Sequence, residues 1–117
     1  MSFFDSEVVR AEVAEISELQ EEIYGSVFKF PSMTKEDKLR HVNLLETLLN
    51  KQQVLYTRMS LSDDPEAQEM KERISDSARM MGLPPGVDMN IIFSNMTKML
   101  EVMKAQIDKT GSDLSLS

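Results

Sequence analysis

Apolar residues recur at helical spacing in four segments of this chain, and no segment alternates apolar and polar residues with the period of a strand. A stripe that repeats every 3.6 residues lies on one side of a helix and leaves water by packing against another helix. Glycine, proline and helix-capping residues separate the four segments. The sequence therefore predicts an all-α fold, an antiparallel four-helix bundle in a single domain over residues 1–111, followed by a mobile polar tail at 112–117.

The first helix is predicted over residues 6–28. Asp5 suits the N-cap position, and Phe4 and Val9 would then form a hydrophobic staple around it. Glutamates occupy most of the sides that the apolar residues leave free. The apolar residues cover an arc of about 140°, and they are Val9, Val13, Ile16, Leu19, Ile23, Tyr24 and Val27.

The second helix is predicted over residues 35–60, with Thr34 as its N-cap. Its apolar arc of about 160° is wider than a surface helix needs, which indicates the central helix of the bundle. The connection from the first helix spans about seven residues, and so short a connection makes the two helices antiparallel neighbours. They form a long N-terminal hairpin, in which aligning residue 27 with residue 35 sets Val13 against Leu49.

This alignment predicts a role for the two phenylalanines at the start of the chain. It places Phe3 and Phe4 beside Tyr56 and Met59, at the far end of the hairpin. We therefore expect the two rings to cover the core there, and we do not expect them to act as a targeting signal or a membrane anchor.

The third helix is predicted over residues 65–81 and the fourth over 88–109. Asp64 and Asp88 precede them as caps, and Pro65 occupies a first helical position, where its missing N–H is not needed. The apolar stripe of the third helix covers only about 80°, so we expect this helix at the periphery. Both helices are expected to pack against the hairpin.

Composition argues against several functional classes. The net charge is −7 and no apolar run approaches the ~18 residues that cross a bilayer, so neither direct nucleic-acid binding nor a membrane is expected. The chain has no cysteine, and acidic residues follow the first phenylalanines at once, which is untypical of a secretory signal. We therefore expect a cytoplasmic location.

Charge is distributed unevenly along the predicted hairpin. Residues 5–22 carry seven acidic residues and one basic residue, whereas residues 29–58 carry six basic and three acidic residues. The two segments would attract each other if the hairpin brings them side by side.

Side chains that could carry chemistry are few. His41 is the only histidine, and the sequence contains no glycine-rich phosphate loop and no serine in a recognisable nucleophile elbow. Catalytic residues, a metal site and a cofactor site are therefore not predicted, and we expect His41 to lie on the surface. The chain is not expected to be an enzyme.

Methionines and two glutamines suit contacts with other proteins. Of ten methionines, several follow helical spacing on the fourth helix, where they either fill an irregular core or form an adaptable binding surface. Gln20 and Gln52 lie within the apolar arcs of their helices. They mark either a polar layer in the core or a seam between copies of the chain, and the second interpretation predicts a homo-oligomer.

Several short motifs resemble a known family. They are "FFDSEVV" at residues 3–9, "LSDD" at 61–64, Tyr24-Gly25 between them and a Gly-x-x-Pro step at 82–85. Together they resemble a small helical family of cyanobacteria and their T4-like phages that is described only as a domain of unknown function, and the similarity extends from residue 3 to about 107. The second helix, "RHVNLLETLLNKQQVLYTR", is less rich in Met and Phe than that family. The resemblance implies a cyanobacterial or cyanophage origin and an intracellular helical protein, with no catalytic residues to carry over.

The function that these features favour is non-catalytic protein–protein interaction, by an adaptor such as a phage accessory factor that acts on a host or phage complex. Ile91 lies about 160° from Ile107 around the fourth helix and cannot share its core-facing side. We therefore predict a contact patch for a protein partner of unknown identity at Leu83, Val87 and Ile91. The alternative is a structural or assembly component of a virion, which mass spectrometry of purified particles would detect.

The end of the chain carries one further weak signal. The segment "DLSLS" has the spaced leucines of short peptides that dock in sliding-clamp pockets, but it lacks the usual terminal aromatic residue. The sequence leaves open whether it docks in this way.

Overall fold

The computed structural model describes residues 2–80, 82 and 88–110, and within these ranges it contains helices and no strand. The prediction of an all-α four-helix bundle is confirmed. The predicted tail at residues 112–117 lies outside the described residues. The four α-helices are α1 (Glu7–Ser26), α2 (Lys35–Leu61), α3 (Pro65–Met80) and α4 (Met89–Thr110), and short 3-10 helices occupy Phe3–Asp5 and Val27–Ser32.

Three of the predicted helix starts have the capping hydrogen bonds that the sequence indicates. The Thr34 hydroxyl accepts from the backbone N–H of Asp37 at 3.2 Å. The carboxylates of Asp64 and Asp88 accept from the backbone N–H groups two residues further on, each at 2.9 Å. These bonds satisfy N–H groups that the first turn of a helix leaves unpaired, which is why α2, α3 and α4 begin where they do.

The start of α1 differs from the prediction, because Asp5 is not its N-cap. The first residues form a separate 3-10 turn, in which the backbone N–H of Ser2 donates to the Asp5 carboxylate at 3.1 Å. Ser6 precedes α1 and makes no side-chain capping bond. With Ser6 in that place, Phe4 and Val9 no longer occupy the two positions of a hydrophobic staple.

The connection between α1 and α2 also differs from the prediction. The first helix was expected to reach residue 28, but α1 ends at Ser26 and the chain continues as a 3-10 helix to Ser32. The Ser26 hydroxyl donates to the carbonyl groups of Glu22 and Ile23, each at 3.3 Å, and so satisfies part of the helix end. Because the 3-10 helix prolongs the first arm of the hairpin, the chain reverses later than predicted.

The register of the hairpin shifts accordingly. Glu15 forms an ion pair with Lys51, and the Glu12 carboxylate lies 2.8 Å from the guanidinium of Arg58. The predicted alignment sets residue 15 opposite residue 47 and residue 12 opposite residue 50, so the observed partners lie four and eight residues further along α2, about one to two helical turns. The pairs confirm that the acidic and basic segments lie side by side and antiparallel. Each exposed pair contributes at most about 1 kcal/mol, so burial of apolar residues must supply most of the stability.

Helix α2 is the central helix, as predicted, since α1, α3 and α4 all pack on it. Helix α4 also runs antiparallel to it, because Lys35 at the start of α2 lies 3.5 Å from Asp108 near the end of α4, while Glu46 lies 2.9 Å from Lys104. The main buried cluster lies where α2 ends, α3 begins and α4 begins. It consists of Leu49, Tyr56, Met59, Ala67, Met89 and Phe93.

Candidate protein-binding surface

One side of α2 carries the candidate site. Counting 100° per residue, His41, Leu45, Leu48, Gln52 and Met59 lie within about 60° of one another around α2. The outer two are buried, with 6% and 2% of their surface exposed, whereas the three between them are only half-buried. This side, which we call the groove side, is therefore covered at both ends and open in the middle.

The first end of the groove side is covered by the 3-10 helix that follows α1. The Phe30 ring lies against the His41 ring with 5.3 Å between centroids, and the Ser26 hydroxyl lies 3.3 Å from His41 Nδ1. The amino group of Lys38 lies 5.6 Å from the centre of the Phe30 ring. The prediction that His41 lies on the surface is wrong, because the 3-10 helix extends far enough to place Phe30 over it.

The second end of the groove side is covered by the N-terminal turn and α3. Phe3 and Phe4 pack against the buried cluster that contains Met59, which confirms that they cover the core. The backbone N–H of Phe3 donates to the Asp64 carboxylate, and the Ser2 hydroxyl donates to Glu66. We call these two contacts the N-terminal clasp.

The clasp joins two segments that the sequence analysis singled out. Residues 3–9 and 61–64 carry two of the motifs that resemble a known family, and they meet here. The Phe3–Phe4 pair itself is packed edge to face, with 5.0 Å between ring centroids. Both motifs therefore hold the N-terminal turn on the end of the bundle.

Between the two covered ends lies a groove of about 180 Å³. It is walled by α2 and α4, and of the described residues that line it only Gln52 is polar and none carries a charge. Its volume is close to that of an engineered apolar cavity that binds benzene, so one large apolar side chain could occupy it. The lining residues are Leu45, Leu48, Leu49, Gln52, Met96, Met99, Leu100 and Met103.

The α4 wall of the groove is unusually exposed. Met96 and Met99 have 46% and 65% of their surface exposed, although the sequence places both on the apolar arc of α4. Ile91 and Val102 are 57% and 56% exposed and lie about 20° apart around the helix. We call these two residues the outer edge of α4. Val102 lies one turn from Met99, so apolar surface extends from the groove onto the outer edge.

Helix α1 contributes to the same open surface. Its buried residues Val9, Ile16 and Ile23 face α2, and Glu12 and Glu15 form their ion pairs on one flank of that buried line. The other flank of α1 lies toward the groove side of α2. It carries a group of residues that lie within about 60° of one another around the helix. They are half-buried Gln20 and exposed Val13 (39%) and Tyr24 (67%), and exposed Val27 (43%) follows at the start of the 3-10 helix.

The predicted site residues are therefore only partly brought together. Ile91 is exposed, as predicted, whereas Leu83 and Val87 lie outside the described residues. Gln20 and Gln52 are both half-buried on the open surface, and neither amide has a hydrogen-bonding partner among the described residues. The sequence analysis missed the groove, because the apolar arcs of α2 and α4 looked like buried core.

Other kinds of site find little support among the described residues. Within residues 2–80, 82 and 88–110, no group of three or more His, Cys, Asp or Glu side chains is arranged to hold a metal ion. The helices of the same ranges are also too short or too polar to cross a membrane.

Comparison with known proteins adds a family. A family model described as "Domain of unknown function (DUF1825)" matches residues 1–107. No curated protein and no solved structure matches the chain.

Proposed function

Because the chain belongs to the DUF1825 family, whose description assigns no activity, we propose its function from its surface: it is a non-catalytic adaptor that binds another protein. The outer edge of α4 is the part of the surface that we assign to this partner. The proposal agrees with the methionine content of α4, since unbranched, polarizable side chains adapt to a partner's shape.

The exposure of Ile91 and Val102 is the observation that carries this proposal. Both residues are more than half exposed, although α4 has a buried side that already packs on α2 through Met89 and Phe93. Single apolar residues are common on protein surfaces. Here, however, the two lie on one line along the helix, separated by exposed Asn95 and Lys98, and Val102 adjoins exposed Met99. Exposed apolar residues bordered by polar ones mark interaction sites.

Replacing Ile91 by Asp tests the proposal. We expect Ile91→Asp and Val102→Asp to change the midpoint of thermal unfolding by no more than a few degrees, because both side chains are exposed. Affinity capture from extracts of the source cells, quantified by mass spectrometry, should show the same protein lost from both variants. Asn43→Asp, on the exposed polar side of α2, is the matched control and should retain that protein.

Two results would contradict the proposal. If Ile91→Asp unfolds the chain, Ile91 belongs to the core and the outer edge is not available to a partner. If both folded variants capture the same proteins as the Asn43→Asp control, the partner binds elsewhere on the molecule.

A further inference from the structure

We propose that the groove between α2 and α4 is the contact surface of a homodimer, in which the exposed methionines of each copy pack into the groove of the other. The groove adjoins the outer edge of α4 but is lined by residues other than Ile91 and Val102, so this inference does not depend on the adaptor function. It is carried by the shape of the groove, by the chemistry of its lining and by the area of the molecule.

The first argument is that the surface is self-complementary. Met99, with 65% of its surface exposed, projects from the α4 wall, and directly beside it lies an apolar groove that could hold one large side chain. A projection and a recess that adjoin on one chain can be satisfied together by a two-fold axis, because each copy then supplies a projection to the other's recess. The flexible methionine side chain suits such an insertion.

The second argument comes from the polar groups on this surface. Gln52 lines the groove and Gln20 lies on the α1 flank beside it, and neither has a hydrogen-bonding partner within the described part of the chain. A side-chain amide is both a donor and an acceptor, so it can pair with an amide of an identical chain, whereas two identical charges would repel. Buried amides of this kind specify register in helical assemblies.

The net charge of −7 opposes association most strongly where acidic residues face the partner copy. Glu18 and Glu22 lie about 160° from Gln20 around α1, on the side away from the groove. The described residues that line the groove carry no charge. Two copies can therefore approach through this surface with their acidic sides turned outward.

The third argument is the area of the molecule. It measures 57 × 32 × 19 Å, and its accessible surface is 8265 Å². A compact monomer of 13.3 kDa exposes about 6,400 Å², so this chain exposes more than about 1,000 Å² in excess. A standard interface buries about 800 Å² on each partner. The excess is sufficient for one such interface.

Sedimentation equilibrium of the purified full-length chain tests the dimer. We expect the mass to rise from 13.3 kDa towards twice that value as the concentration increases through the micromolar range. Met99→Glu should weaken association at least tenfold, because it places a charge in the partner's apolar groove. Val54→Glu is the matched control: it places the same charge on an exposed apolar residue of α2, about 160° around the helix from Gln52, and should leave the dissociation constant unchanged.

Cysteine cross-linking tests the geometry, and the absence of native cysteine makes it unambiguous. A chain carrying Met99→Cys, mixed with one carrying Gln52→Cys and oxidised, should form a mixed disulfide-linked dimer. Replacing the second chain by one with Asn43→Cys, on the opposite exposed side of α2, should abolish that product. Circular dichroism of each variant verifies that the helical fold is retained.

The outcomes separate the two proposals. A wild-type chain that stays monomeric at several hundred micromolar, or a dimer that Met99→Glu leaves intact, overturns the homodimer. A monomer that loses its captured partner on Met99→Glu assigns the groove to a helix of that partner and likewise overturns the homodimer. Failure of the capture experiment with Ile91→Asp would contradict the adaptor function and leave the sedimentation result unaffected.

Discussion

The two ends of α4 differ sharply in how the same type of residue is used. Met89 and its neighbour Phe93 are buried, with 8% and 7% of their surface exposed, whereas Met96 and Met99 are about half exposed. All four belong to one apolar stripe. The difference arises because Met89 and Phe93 belong to the buried cluster that residues of α2 and α3 complete, and the described part of the chain supplies no equivalent cover for the stretch that follows.

Helix α2 shows the same contrast. Met59 is 2% exposed beneath the N-terminal turn, while Leu48 and Gln52, on the same side of the helix, are half-buried. Apolar periodicity therefore identifies which side of a helix avoids water but not which part of that side the fold covers. On both helices the apolar stripe extends beyond the part that the rest of the fold buries, and the exposed remainder is the structural basis of the proposed interfaces.

Removing the two aromatic rings of the N-terminal turn should produce the largest loss of stability. Replacing Phe3 and Phe4 together by Ala should lower the free energy of unfolding by about 3 kcal/mol or more, because both rings pack against the buried cluster. Denaturant unfolding measures the loss. Phe28→Ala is the control, since Phe28 is 93% exposed and its truncation should have almost no effect. An unchanged unfolding midpoint in the double variant would show that the N-terminal turn does not hold the covered end.

Breaking the N-terminal clasp should cause a smaller loss of stability. Asp64 accepts hydrogen bonds from the backbone N–H groups of Phe3 and Glu66, so Asp64→Ala should cost about 1–2 kcal/mol. Ser6→Ala should cost less than about 0.5 kcal/mol, because Ser6 precedes α1 without a side-chain capping bond. Urea unfolding of both variants compares them. Equal losses would mean that the clasp adds nothing beyond an ordinary helix start.

Substitutions in the exposed middle of α4 should hardly change the stability of the monomer. Met96→Ala and Met99→Ala should each change the free energy of unfolding by less than about 0.5 kcal/mol when measured on dilute, monomeric protein, because exposed side chains leave no cavity. At concentrations where dimers form, the same substitutions should lower the unfolding temperature, since association stabilises the folded state by mass action. A loss above 2 kcal/mol in the monomer would mean that the groove is part of the core.

Much of the fold follows from the sequence because its signals are local. Thr34, Asp64 and Asp88 are capping residues in their own right, and Pro65 suits only the first turn, so the starts of three helices are predicted to within one residue. The central position of α2 follows from its wide apolar arc. The position of the phenylalanine pair follows from the reversal of the chain, and the prediction holds although the hairpin register is shifted by one to two turns.

The features that the sequence does not predict depend on distant parts of the chain. The burial of His41 requires the 3-10 helix that places Phe30 over it, and a preference for 3-10 over α-helix at this point is not visible in the pattern. The role of Asp5 was missed because Ser2 offers a competing cap three residues earlier. The groove could not be predicted from the sequence, because it lies where α3 does not extend over α2 and α4.

The N-terminal clasp also has a consequence for the order of events during synthesis. Phe3 is made early in translation. Its partner Asp64, whose carboxylate accepts the hydrogen bond from the backbone N–H of Phe3, lies 61 residues further along the chain. At about 5–20 residues per second, roughly 3–12 s pass before that partner is made. The hairpin contacts need far less chain, since Ser26 and His41 are only 15 residues apart. Until that partner is made, the Phe3–Phe4 pair lacks the contacts that fasten it to α3, so the N-terminal turn can dock only after the hairpin has been synthesised.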